Sequence, residues 1–190
     1  MKTVKNTFIL WMIVMFLVTF TCLLVYLVAQ QSLRLGANEL PSQLAIETSI
    51  KLQNGQSIKE AIPTEKVNIE KSLNAFVMVY DSNKILIATS GIIGNSQLVY
   101  PKGVLDNVSQ KGEVRVTWQP ATGLRFATVA IKYNNEYIVA AHSLSETEKL
   151  IDKLGELVFL SWLACAAFSA FVLAVICVFM KKINRSRKLS

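Results

Sequence analysis

The stretch LVFLSWLACAAFSAFVLAVICVFM, residues 157–180, decides how this chain is read. It carries no charge, and about 20 apolar residues suffice for a helix to cross the hydrocarbon of a bilayer. A second uncharged run, TFILWMIVMFLVTFTCLLVYLVA, covers residues 7–29. Working outward from these two, the sequence divides into a stub at 1–6, a first span at 7–29, a middle portion at 30–156, a second span at 157–180 and a basic tail at 181–190. Only the middle portion is long enough to build a core of its own.

Charge predicts the orientation. The chain has 20 basic and 13 acidic residues, a net charge of +7. Seven of the basic residues, Lys2, Lys5, Lys181, Lys182, Arg185, Arg187 and Lys188, flank the runs on their outer sides with no acid among them. The middle portion therefore holds 13 basic against 13 acidic residues and is neutral. Lys and Arg beside a membrane helix favour the cytoplasmic side. Both termini are expected in the cytoplasm and the middle portion outside it. The pI of about 9.4 is on this reading a topology signal. A nucleic-acid partner is not expected, because no basic stripe lies on the folding portion. The bilayer is the first expected partner, with the basic tail adding attraction to anionic lipid.

The run at 7–29 is longer than the 7–15 apolar residues usual in a cleaved signal peptide. Leu27-Val28-Ala29 is a poor small-x-small cleavage site, and Phe20 spoils Thr19-Phe20-Thr21-Cys22 for lipid attachment. Retention as an anchor is the expectation. The 3 cysteines, Cys22, Cys165 and Cys177, all fall inside the apolar runs, so no disulfide staples the middle portion. A eukaryotic ectodomain of this size more often carries disulfides, which points to a bacterial plasma membrane.

Within the middle portion, Leu33, Ala37, Leu40, Leu44, Thr48 and Leu52 recur at helical spacing, with Pro41 expected to kink or restart the helix and Asn54-Gly55 to end it. Residues 57–73 read as a polar connection with short helical pieces. Phe76-Val77-Met78-Val79-Tyr80 and Ile85-Leu86-Ile87-Ala88-Thr89 read as a hairpin turned by Asp81-Ser82-Asn83-Lys84. Residues 91–112 read as loop, with a short helix around 104–109. Three further strands are predicted at 113–118, 124–132 and 136–141, turned at 119–123 and at Tyr133-Asn134-Asn135. Ser145 and Glu148 fit a capping box opening a helix that continues into the second span. The fold class is α+β: two membrane helices flanking a domain with a long N-terminal helix and a five-stranded antiparallel sheet.

That element order, with Tyr80-Asp81-Ser82-Asn83-Lys84-Ile85-Leu86-Ile87-Ala88-Thr89-Ser90 as its first hairpin, resembles the extracytoplasmic PAS-like (Cache-type) sensor modules of bacterial two-span receptors. Those hairpins usually carry glycine where this chain has Lys84. Val116-Thr117-Trp118-Gln119-Pro120 with Gly123-Leu124-Arg125-Phe126-Ala127 also resembles a segment of small two-span bacterial membrane proteins, a likeness that brings no activity with it. Together the resemblances cover residues 71–144. The receptors carry an output domain after their last span, whereas here ten residues follow residue 180. The expectation is that any message leaves through a separate membrane protein or a second copy of the chain.

In such modules ligands bind in the concavity between the sheet and its covering loops, which makes Tyr80, Trp118 and Arg125 candidates. Aromatic walls and one guanidinium suit a small carboxylate, which arginine grips bidentately. The plain alternative makes Tyr80 and Trp118 packing residues and Arg125 a solvated one. His142, the only histidine, either contacts a ligand or is a polar residue at the sheet's margin. With no second histidine and no cysteine outside the runs, neither a nucleophilic triad nor a zinc site is expected. No cofactor is implied, and the chain does not read as an enzyme. In the second span Ser161, Cys165 and Ser169 recur every four residues, as do Ala166, Ala170 and Ala174. Small residues at that spacing let helix backbones approach in lipid. Alanine-rich spans also carry such patterns incidentally.

The expected function is sensory or regulatory, with a small molecule or an envelope partner as the signal. A non-sensory interaction subunit of an envelope assembly is the competing class.

Overall fold

The computed structural model describes residues 2–94 and 98–186; part of the loop expected at 91–112 and the end of the basic tail lie outside the described residues. In chain order the elements are α1 (Lys2–Gly36), α2 (Glu39–Gln53), α3 (Ile58–Ala61), β1 (Val67–Asn68), β2 (Phe76–Tyr80), β3 (Leu86–Thr89), β4 (Gly91–Ile92), α4 (Lys102–Lys111), β5 (Glu113–Ala121), β6 (Leu124–Tyr133), β7 (Glu136–Ser143) and α5 (Ser145–Ser186). The chain is α+β and divides into two units. Ser32–Lys149 holds the sheet, and Met1–Gln31 with Leu150–Ser190 holds two long apolar helical segments.

The sheet has five strands in the order β3-β2-β7-β6-β5, antiparallel throughout. Side chains alternate between the faces of a strand, and the residues obey that period. Phe76, Met78 and Tyr80 of β2 join a cluster with Leu105 and Val108 of α4. Val77 and Val79 pack on the other face with Ala45 of α2. β2 lies inside the sheet and all five of its residues are buried. This explains its unbroken apolar run. A two-stranded parallel pair, β1 with β4, stands beside the sheet and was not expected from the sequence. Gly91 of β4 is there by necessity: a Cβ would sit 2.5 Å from the Phe76 ring.

Several expectations are corrected. The helix break falls at residues 37–38 rather than at Pro41, which lies in the first turn of α2. The N–H that proline lacks would have no helical partner there, so the ring costs nothing. β5 runs through Pro120 to Ala121, beyond the expected end at 118, with a register shift between Trp118 and Ala121. β5 is an edge strand, where a missing N–H leaves no ladder bond unmade. Ser145 does not share a box with Glu148: its N–H donates to Ser143 Oγ at 3.3 Å, and the Glu148 carboxylate pairs with Arg125. A capping arrangement occurs instead at α3, where Glu60 Oε2 accepts from Ser57 N–H at 2.9 Å.

The β2–β3 turn places a lysine in the left-handed region. Lys84 sits at φ +60°, a conformation that favours glycine. Asp81 holds the turn, its Oδ1 accepting from Ile85 N–H at 2.8 Å, and the Lys84 ammonium pairs with Asp106 of α4.

In the other unit the two segments pack antiparallel. Trp11 Nε1 donates to Ser169 Oγ at 3.3 Å, and Trp162 Nε1 donates to Thr19 Oγ1 at 2.9 Å. Tyr26 lies against Gly155, where a Cβ would come within 3.3 Å of its ring. Half-buried residues recur at spacings of three and four: Trp11, Met15, Val18, Cys22 and Tyr26 on one segment, Val158, Trp162, Ala166, Ser169 and Leu173 on the other. Outside that seam the surface is apolar, with Phe168 71% and Phe171 67% exposed.

Candidate functional site

Strand parity settles where the four candidate ligand residues stand. Trp118 pairs across the ladder with Phe126, and both belong with Tyr80 to the cluster under α4. Arg125 neighbours Phe126 on β6, so its side chain leaves the sheet on the opposite face. His142 neighbours Ala141, a member of the same cluster, and is paired with Ala127. It too points to the opposite face. The sheet thus brings Tyr80 and Trp118 together and puts Arg125 and His142 behind them. The concavity holds no guanidinium from this set.

The aromatic side is densely filled. Tyr80 is 3% and Trp118 5% exposed. Between them stands Tyr100, with ring centroids 6.4 Å from Tyr80 and 5.4 Å from Trp118. Phe126 lies 5.9 Å from Trp118 and 5.4 Å from Phe76 in the same cluster. Such tilted and edge-on ring contacts are ordinary core packing worth about 0.5–1.5 kcal/mol each beyond area burial. The hydroxyls among these rings have partners. Tyr100 Oη and Thr128 Oγ1 share a hydrogen bond of 2.8 Å, and Thr128 Oγ1 donates to the Val116 carbonyl at 2.9 Å. Tyr80 Oη donates to Met78 Sδ at 3.6 Å. Burial pushes the Tyr100 phenol up to about 12 and raises that of Tyr80. Both are neutral hydroxyls at physiological pH, without basic character.

Arg125 is a joint. Its guanidinium pairs with Glu148 in the first turns of α5, and its carbonyl accepts from Leu144 N–H at 2.8 Å. Both charged side chains are about two-fifths exposed, so the pair contributes about 0–1 kcal/mol. Its geometric effect is to fasten the start of α5 to the first residues of β6.

His142 stands at the end of β7, just before α5. Its Nδ1 is buried and has no hydrogen-bond partner among the described residues. Burial holds the imidazole below the usual histidine range, against an opposite pull from the Glu146 carboxylate. Among the described residues no group of three or more His, Cys, Asp or Glu side chains is placed to hold a metal ion.

The small residues of the second apolar run are divided as well. Ala166 and Ser169 lie in the seam with the first segment, while Ser161, Cys165, Ala170 and Ala174 are exposed. Ser169 is the hub: it accepts from Trp11, and its Oγ lies 3.1 Å from Met15 Sδ and 2.9 Å from the Ala166 carbonyl. Ser161 returns its hydroxyl to the Leu157 carbonyl at 2.8 Å.

Sequence reasoning passed over two features. The tryptophan–hydroxyl ties of the seam had a signal, since Trp11 and Trp162 lie inside uncharged runs that also hold Thr19 and Ser169. An open groove along β3 had none, because the lysines at its rim sit in a connection without periodicity. In comparisons with known proteins, no protein-family model matches this chain and no curated protein proves similar to it.

Proposed function

We propose that the chain is a two-pass protein of a bacterial plasma membrane, with both termini cytoplasmic and Ser32–Lys149 outside. We read that unit as a PAS-like (Cache-type) sensory or regulatory module. It binds a small molecule or an envelope partner and passes its state to a separate membrane protein. The order of long helix, hairpin, loop and helix, three strands and helix supports the module. Two helices apolar and long enough to cross a membrane support the two passes.

One observation carries the signalling part. α5 starts two residues after β7 ends and runs unbroken from Ser145 to Ser186, so the residues fastened to Arg125 and the apolar segment belong to one helix. A ligand that favours one arrangement of the sheet margin would bias that helix, and through it the exposed face around Phe168.

The alternative, an interaction subunit without sensing, is favoured by a different observation: the rings around Trp118 fill the concavity, while Ile85 and Ile87 lie exposed beside β3. A photo-crosslinking residue at position 168, in intact cells, separates the two. A sensor captures one membrane protein in a yield that changes when Arg125→Ala releases the joint. A static subunit gives a yield indifferent to Arg125→Ala, and no capture at all removes the proposed partner.

A further inference from the structure

We infer that the groove beside β3 binds a small amphiphilic carboxylate. The groove has a volume of about 430 Å³, within the range of small-molecule sites. Ile62 and Ala88, which pack in one cluster, give it an apolar side, and Lys59 and Lys66 line it as well. Among the described residues no acidic side chain lines it. Glu60, next to Lys59, is turned away onto the α3 cap, its Oε2 accepting from Ser57 N–H at 2.9 Å and Ser57 Oγ at 2.7 Å. Lys66 donates to the Thr89 carbonyl. An ammonium has three donors, so this bond places Lys66 at the groove with donors to spare for a carboxylate oxygen.

An added strand from a partner is the other occupant such an edge suggests, and the local structure opposes it. β3 is only four residues long, its pairing with β2 shifts register beside Tyr80, and Lys66 already occupies an edge carbonyl. Short strands, irregular pairing and lysines are what proteins use to keep strands from adding to an edge. A short apolar chain ending in a carboxylate meets none of these obstacles: its body covers Ile62 and Ala88 while its oxygens reach the lysines.

The inference concerns binding alone, and its failure leaves the helix-borne signal to be judged by the crosslinking above. The test is titration of hexanoate against the 15N-labelled full chain in phosphatidylcholine nanodiscs. Hexanamide serves as the uncharged control. Saturable shifts at the amides of Ile62, Leu86 and Ala88 are expected, with hexanamide binding about tenfold more weakly, a difference of about 1.4 kcal/mol. Lys59→Gln should weaken hexanoate, and Lys59→Arg should restore it. Lys59 carries the test even where Lys66→Gln disturbs the fold. Equal binding of hexanoate and hexanamide, insensitivity to Lys59→Gln, shifts centred on Trp118, or saturation only by an acidic strand-forming peptide would each overturn the inference.

Discussion

The two units of this chain bury opposite chemistry. In Ser32–Lys149 the core is built from large apolar side chains, Phe76 and Phe126 among them, and the charged ones are outside. In the helix pair Phe8, Leu17, Phe168 and Phe171 are exposed, while the seam holds the hydroxyls of Thr19 and Ser169 and the indole N–H groups of Trp11 and Trp162. A protein surface of phenylalanine and leucine is unfavourable in water and costs nothing in hydrocarbon. There helices associate through close packing and hydrogen bonds rather than through apolar burial. The contrast is what a chain exposed to two solvents would show, and it supports the proposed membrane setting.

The sharpest way to break the contrast is to delete the same ring in each unit. Phe126→Ala should destabilise the sheet unit by about 3–5 kcal/mol, whereas Phe168→Ala should leave unfolding of the purified chain in detergent nearly unchanged. Equal losses would contradict the assignment of inside and outside. Next in size is Gly91→Ala. The new methyl collides with the Phe76 ring, and overpacking of this kind costs about 1–3 kcal/mol by denaturant unfolding. In the helix pair, Trp162→Phe or Ser169→Ala should each cost only about 0.6 kcal/mol and at most about 1.7 kcal/mol, read as a small loss of thermal stability in micelles. A loss as large as that of Phe126→Ala would mean that the seam, and not the sheet, holds the structure together.

The smallest effect belongs to His142. Its imidazole is held below the usual range by burial, so the folded state prefers the neutral ring. The resulting stability is complete above the unfolded-state value of about 6.5 and fades as pH falls through the lower folded-state value. Partial exposure of the ring keeps the change small. His142→Gln should flatten the stability of the sheet unit between neutral and mildly acid pH. An unaltered pH profile would show that other groups set it.

Much of this was legible in the sequence because two periods are hard to disguise. Uncharged runs of more than 20 residues announce themselves, and the alternation of Phe76, Met78 and Tyr80 with Val77 and Val79 marks a strand buried on both faces. Proline breaks a helix only beyond its first turn, and which turn Pro41 occupies depends on where α2 starts. Proline ends a strand only inside a sheet, and that β5 lies at the edge is a property of the whole sheet. For the candidate site the information was half present. Phe126 is apolar and Arg125 is its neighbour, so parity alone places the guanidinium away from an aromatic wall. That Tyr100 fills the space between Tyr80 and Trp118 depends on how the segment before α4 folds back over the sheet, which no local pattern encodes.

The central claim is that the chain crosses the membrane twice with the sheet unit outside. In a background where Cys22, Cys165 and Cys177 are replaced by alanine, Lys132→Cys at an exposed position of β6 and Asn184→Cys beyond the second apolar run give two single-cysteine chains. A membrane-impermeant maleimide added to sealed cells should label position 132 at once and position 184 only after permeabilisation. Labelling of position 184 in sealed cells, or protection of position 132, would contradict it.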